Sequence, residues 1–236
     1  MRLVLVHGGL HGAWCWEKLT PHLVALGHEV VTVELPGHGT RRDETASIEA
    51  YTDTVVDVLE PGDVVIGHSL GGIVITAVAD RVGDQIGRLI YIAGYVPEDG
   101  KSATDTASFG DLDLAAYLEN FDVRYAEDGS SWWIGSLEGA TNLFYHDCPP
   151  ELAQWAYERL TPQQVAPSVE PIALKNFGSL SVPRTFIRCA EDRSLALDVA
   201  EGFADRLGVD PVVFPSSHSP FLSRPKELAV VIDAQL

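Results

Sequence analysis

Val64-Val65-Ile66-Gly67-His68-Ser69-Leu70-Gly71-Gly72 reads as a buried strand, a tight turn and the opening of a helix. Three β-branched residues predict the strand, and the apolar periodicity from Leu70 to Val82 predicts the helix. Between them lies a G-x-S-x-G pattern. A strand that turns sharply into a helix forces its central serine into strained backbone, and small residues two before and two after relieve the crowding. The serine oxygen is then carried to the carboxyl edge of the sheet, where the helix N terminus favours negative charge. Ser69 is therefore the candidate nucleophile; the bland alternative, a structural serine in a glycine turn, does not account for the strand and helix on either side. His68, inside the motif, is read as a packing residue.

Outward from this turn, short β-branched runs alternate with longer amphipathic stretches. Strands are predicted at Leu3 to Val6, Glu29 to Val33, Val64 to Ile66, Leu89 to Ala93, Arg184 to Arg188 and Val212 to Phe214. Helices are predicted at Trp16 to Leu26, Ile48 to Leu59, Leu70 to Val82, Leu197 to Leu207 and Pro225 to Ala234. This is the rhythm of an α/β protein whose mostly parallel sheet is buried on both faces. The rhythm breaks between about Pro97 and Leu180, a stretch holding Trp132, Trp133 and Trp155 with Phe109, Phe121, Phe144 and Phe177. A hairpin around Glu127-Asp128-Gly129 and a helix from Pro150 to Leu160 are expected inside it. The organisation expected is a core of residues 1–96 and 181–236 with a cap of residues 97–180; a second lobe with its own core is the alternative.

A serine hydroxyl needs a base, and after a turn of this kind the acid and then the histidine follow in chain order, each just beyond a strand. His218 follows the strand Val212 to Phe214, and no other histidine lies after His146. Beyond the strand Arg184 to Arg188 come two adjacent carboxylates, Glu191 and Asp192; either could orient the imidazole, and Asp192 is preferred. Acyl transfer also needs two donors for the developing oxyanion. One is the N–H of Leu70, directly after the nucleophile. The other is expected from the loop His7-Gly8-Gly9-Leu10-His11-Gly12, with Gly9 N–H the candidate. His7 and His11 are read as structural, because the glycines between them break any helix that would pair them on a metal.

The chain has 236 residues, 46% hydrophobic and 21% charged, enough for one catalytic unit with a full core. Thirty-four acidic residues oppose 16 basic ones, a formal charge of −18, which argues against nucleic-acid and membrane-surface partners. Three cysteines, with no C-x-x-C spacing, argue against a disulfide framework and a zinc site. No cofactor and no metal are expected. The apolar run at the start is too short for a signal peptide or a transmembrane helix, so a cytoplasmic protein is expected. Oligomeric state is left open, a homodimer included.

With these residues placed, the chain resembles the α/β-hydrolase superfamily. In detail it is similar to the branch of plant methyl esterases, hydroxynitrile lyases and related bacterial esterases. The resemblance rests on Val4-Leu5-Val6-His7-Gly8-Gly9-Leu10-His11-Gly12-Ala13-Trp14, on Gly67-His68-Ser69-Leu70-Gly71-Gly72, and on Cys189-Ala190-Glu191-Asp192 with Ser217-His218. In the cap, Phe144-Tyr145-His146-Asp147-Cys148-Pro149 also fits. The resemblance implies the α/β-hydrolase fold of about six strands, with a helical cap inserted after the fourth. It also implies Asp192 as the triad acid and Gly9 and Leu70 as oxyanion donors. The lyases of the branch carry a threonine and a lysine where this chain has Gly8 and Ser219. Without that cation a departing cyanide is not stabilised, and an esterase is the expected function. It would act on small apolar or aromatic esters through an acyl-enzyme, with Trp132, Trp133, Phe144 and Trp155 as candidate substrate contacts. The alternatives are lactone, amide or C–C hydrolysis or a hydroxynitrile lyase on the same triad, and a ligand receptor that keeps the triad without turnover.

Overall fold

The computed structural model describes residues 1–106 and 119–236. Its centre is a six-stranded sheet built from β1 (Arg2–Val6), β2 (Glu29–Val33), β3 (Asp63–His68), β4 (Ile86–Ile92), β8 (Arg184–Cys189) and β9 (Val212–Phe214). The spatial order is β2-β1-β3-β4-β8-β9 and each neighbouring pair is parallel. Side chains alternate across this sheet into two cores. Leu3, Leu5, Val64, Ile66, Ile90 and Ile187 point to one side, against Trp16, Phe221 and Ile232. Val4, Val6, Val65, Leu89, Tyr91 and Phe186 point to the other, against helix α2 (Ile48–Val56), helix α3 (Leu70–Val82) and Phe203. Each fully buried aliphatic side chain contributes about 1.5–3 kcal/mol, so strands without polar alternation are what a doubly covered sheet requires.

The chain leaves β1 toward β2 on one side and returns to β3 on the other. That reversal makes the gap between the carboxyl ends of β1 and β3 a topological switch point, where ligands of open α/β sheets bind. In register, Val6 pairs with Gly67, which brings the loop after β1 against the turn after β3.

Two features differ in kind from the sequence reading, beyond shifts of one to three residues at the ends of β4, α2 and the helix that starts at Pro150. The helix expected from Trp16 to Leu26 divides into a 3-10 turn, Ala13–Glu17, and helix α1, Thr20–Ala25. Pro21 at the start of α1 lacks the N–H that a continuous helix would need from it, so the helix restarts there. The insert between β4 and β8 is mixed rather than helical. Strands β5 (Val123–Tyr125), β6 (Ser131–Ile134) and β7 (Gln163–Gln164) form an antiparallel sheet in it, alongside the helix Pro150–Tyr157. β5 and β6 are the arms of the expected hairpin, turned at Gly129 with φ 70°. The single aromatic steps of Trp132 and Trp133 and the two-residue β7 give too little period-2 signal to be read as a sheet from sequence. Phe109 lies outside the described residues.

The packing of α3 makes a stability prediction. A Cβ on Gly72 would stand 2.5 Å from the carbonyl oxygen of Tyr95, a backbone atom that cannot step aside, whereas a Cβ on exposed Gly202 in the helix Leu197–Leu207 would meet nothing within 4 Å. Gly72→Ala should lower the melting temperature by about 5 °C or more, and Gly202→Ala should raise it by about 1–4 °C. Thermal unfolding followed by circular dichroism reads both; equal shifts would contradict the packing described.

Candidate active site

Ser69 is the residue between β3 and α3, and its backbone sits at φ 51°, ψ −122°. A left-handed φ on a residue with a Cβ costs about 1–3 kcal/mol. The strain is held by Ser69 N–H donating to Ile92 C=O at 3.2 Å and by its own carbonyl accepting from Gly72 N–H at 2.9 Å and Tyr95 N–H at 3.0 Å. A Cβ on Gly67 would stand 2.5 Å from the carbonyl oxygen of Gly71, so the turn can close this tightly only with glycine there.

His218 lies beyond β9 and Asp192 beyond β8, both with side chains almost fully buried. His218 Nδ1 donates to Asp192 Oδ2 at 2.7 Å. The other carboxylate oxygen accepts from Ser194 N–H at 2.8 Å and Leu195 N–H at 2.9 Å, which fixes the acid in place. With its proton on Nδ1, the imidazole has Nε2 as its basic nitrogen, and the ring lines the same cavity as Ser69. Glu191 is exposed, and its backbone is what takes part, the carbonyl accepting from His146 Nε2 at 2.8 Å and the N–H donating to Ser216 C=O at 2.9 Å.

The loop after β1 is pinned peptide by peptide. His7 Nδ1 donates to Gly8 C=O at 2.8 Å, and because C=O and N–H of a trans peptide point in opposite directions, Gly9 N–H is aimed the other way. His11 Nδ1 donates to Gly9 C=O at 2.9 Å and accepts at Nε2 from the Tyr145 hydroxyl at 2.8 Å. Gly9 and Leu70 both line the cavity, and neither N–H has an acceptor among the described residues. The Leu70 side chain packs beside Gly9, where a Cβ would be 3.7 Å from Leu70 Cδ2. A Cβ on Gly8 would be 2.8 Å from Ser69 Cβ, so the threonine of the lyases does not fit this backbone unchanged. Ser219 is fully buried and off the cavity.

His68 does more than pack. Its Nε2 donates to the carbonyl of His218 at 2.9 Å, and its ring centroid is 4.6 Å from that of His218. Burial pushes His7 and His68 well below the usual imidazole range and His11 down to about 3. The cluster is therefore uncharged at neutral pH and does not oppose positive charge on His218. Burial raises all three thiols, Cys148 to about 12, so none of them is a competing nucleophile near pH 7.

The cavity measures about 260 Å³. Leu10, Leu70, Val123, Trp132, Leu143 and Phe144 give it a mostly apolar wall, and no carboxylate, ammonium or guanidinium lines it among the described residues. Of the four aromatics singled out, Trp132 and Phe144 face it and Trp133 and Trp155 do not. Successive residues of β6 point to opposite faces, which turns Trp133 away from the side Trp132 serves. Trp155 packs edge-on against Trp14 at 5.4 Å, with Arg159 and Lys18 over its ring. Sequence reading missed Tyr145, which anchors His11, and Gln163, a buried residue of the cavity wall. It also missed Asp147, whose Oδ2 accepts from Ser217 N–H at 2.9 Å. Their signal is a contact between distant segments, which no local pattern announces. No group of three or more His, Cys, Asp or Glu side chains able to hold a metal occurs among the described residues.

Residues 3–231 match the model of the Alpha/beta hydrolase family. A carbendazim hydrolyzing esterase from Nocardioides sp. is 31% identical, the match covering 96% of both chains. Methylesterase 1 from Arabidopsis thaliana is 29% identical over 96% of this chain and 92% of its own. Among solved structures, an extracellular alpha/beta-hydrolase from a Paenibacillus species superposes with a TM-score of 0.87 at 26% identity, covering 100% of this chain and 98% of the other.

The geometry separates the two neighbouring carboxylates. Asp192→Asn, which removes the charge that holds the imidazole tautomer, should lower kcat for an ester substrate by about 10⁴. Glu191→Gln should change it by less than about threefold. Steady-state kinetics on the two purified variants decides; a crippled Glu191→Gln enzyme would reverse the assignment.

Proposed function

The chain belongs to the alpha/beta hydrolase family, and we propose that it is a carboxylic ester hydrolase acting through an acyl-enzyme on Ser69, with substrates that are small, uncharged and apolar or aromatic. The observation that carries this is a single apolar cavity shared by Ser69, an Asp192-held imidazole and two uncommitted backbone N–H groups. The relatives named above are esterases, which supports the bond cleaved.

Ser69 Oγ attacks the ester carbonyl while its proton passes to His218 Nε2. The carbonyl oxygen takes the displaced electron pair and is held by the N–H groups of Gly9 and Leu70, with α3 adding its N-terminal dipole. Asp192 stabilises the imidazolium that forms. The bond to the leaving oxygen then breaks, His218 returns the proton to it, and the alcohol departs. Water repeats the cycle on the acyl-enzyme and releases the acid. The neighbouring rings of His68 and His11 are uncharged at neutral pH.

Substrate size and charge follow from the wall. At about 260 Å³ the cavity lies just below the usual range of ligand sites, about 300–1,000 Å³, and no charged side chain among the described residues lines it to match a charged group. A chain of net charge −18 also favours release of the carboxylate product. The unpaired Cys15, Cys148 and Cys189 suit a reducing compartment, and a cytoplasmic site of action remains the reading we favour.

Ser69→Ala should lose about 10⁴-fold or more of ester hydrolysis while remaining folded. A panel of 4-nitrophenyl esters should show acetate and butyrate turned over at least about tenfold faster, by kcat/KM, than the palmitate or the anionic hemisuccinate. Hydrolysis surviving in Ser69→Ala would end the triad assignment, and equal turnover of the palmitate would end the small-cavity reading. Lactones and cyanohydrins run beside the panel separate the alternative reactions.

A further inference from the structure

Leu10, one residue beyond Gly9, has φ 63°, a left-handed conformation that is strained for a side chain of its size. Both of its peptide groups are tied to the insert, at Thr161 and Gln163. Leu10 C=O accepts from Thr161 N–H at 2.8 Å, and Leu10 N–H donates to Gln163 Oε1 at 3.3 Å. Gln163 is fully buried although it lines the cavity, and all of its amide is committed. Oε1 also accepts from His38 Nε2 at 3.0 Å, while Nε2 donates to Gln164 C=O at 3.0 Å and to the Tyr51 hydroxyl at 3.4 Å. The same oxygen crowds Gly9 itself, for a Cβ on Gly9 would stand 2.9 Å from it.

We propose that Gln163 is a positioning residue for the oxyanion site: its side-chain amide, delivered by the insert, holds the Gly9–Leu10 peptide and thereby the direction of Gly9 N–H. The proposal rests on the reading of Gly9 N–H as an oxyanion donor. The peptide before Gly9 is fixed from the core by His7, and the one after it is fixed by His11 and Gln163 together. Without Gln163 the strained Leu10 keeps only its carbonyl tie to Thr161, its N–H is released, and relaxation toward negative φ swings the adjoining peptide. A donor that is displaced rather than deleted loses part of the roughly 10²–10³-fold in kcat that one oxyanion donor supplies. The insert is then a component of the transition-state site as well as its roof.

The test is Gln163→Met, which keeps length and volume without hydrogen bonding, and Gln163→Asn, which keeps the amide but withdraws it by one methylene. Both are compared with Gln163→Glu, which retains an acceptor for Leu10 N–H. For 4-nitrophenyl acetate and butyrate, the Met and Asn variants should lose about 10–100-fold in kcat with KM within about twofold. Affinity for phenyl trifluoromethyl ketone, which forms a tetrahedral adduct with the serine, should fall by a similar factor. Gln163→Glu should recover part of both. Gln163→Asn carries the test by itself if the methionine variant does not fold. Full kcat in a folded Asn or Met variant overturns the proposal, and so does a loss confined to KM that differs between the two esters, since Gln163 would then be a substrate contact. Ser69→Ala assayed alongside separates the two readings. Hydrolysis surviving in it removes the esterase mechanism on which the proposal stands, whereas an inert Ser69→Ala beside a fully active Gln163 variant removes the proposal and leaves the mechanism.

Discussion

A serine held at positive φ between a buried strand and a helix is the constraint around which this molecule is arranged. No L-residue chooses that backbone freely, and its cost of about 1–3 kcal/mol must be met by what surrounds it. The surroundings are β3, buried along its whole length, and α3, buried over most of its own. The Ser69 carbonyl meanwhile accepts from two separate backbone N–H groups. The same geometry explains the glycines, since α3 packs so close to the chain after β4 that no Cβ fits at Gly72. Catalytic presentation of the hydroxyl and tight packing of the helix are thus one requirement, met by one turn.

Around that turn the protein buries four histidines besides His218, namely His7, His11, His38 and His68. Each has a backbone or side-chain partner, which keeps the desolvation cost within bounds. Three of them act on the catalytic backbone: His7 and His11 on the peptides flanking Gly9, His68 on the carbonyl of His218. Because burial holds these three rings neutral, they serve as fixed donors with one proton each. A preorganised dipole of this kind supports charge that develops during reaction without having to reorient.

The sequence made legible whatever is local. Strand β2, helix α3 and the helix Leu197–Leu207 have the limits that their periodicity predicts, and Ser69 and His218 are announced by turn and chain order. Asp192 against Glu191 was a choice between adjacent residues. A difference of one position decides which side chain points inward after β8, and the loop's hydrogen bonds, not its composition, make that decision. His7 and His11 were visible as residues but not as donors, because their partners are carbonyls of the same loop, whose orientation has no sequence signature. Of the small sheet in the insert, the β5–β6 hairpin is legible in the sequence and the third strand is not, for a related reason. β7 is two residues long and is recognisable only once it returns from some thirty residues downstream to pair with β6.

The insert is joined to the catalytic loops by polar contacts on one side of the cavity. Ser217 donates its hydroxyl to Phe144 C=O at 2.9 Å and its N–H to Asp147, His146 donates to Glu191 C=O, and Tyr145 donates to His11. Lifting the segment Phe144 to Asp147 would break four hydrogen bonds, each worth about 0.5–1.5 kcal/mol net, and uncover the buried rings of Phe144 and Tyr145. Val123, Tyr125 and Thr104 also line the cavity, and Tyr125 is about half exposed. The insert is therefore more than a roof over the cavity: these bonds fasten it to the loops that carry Asp192, His218 and Gly9.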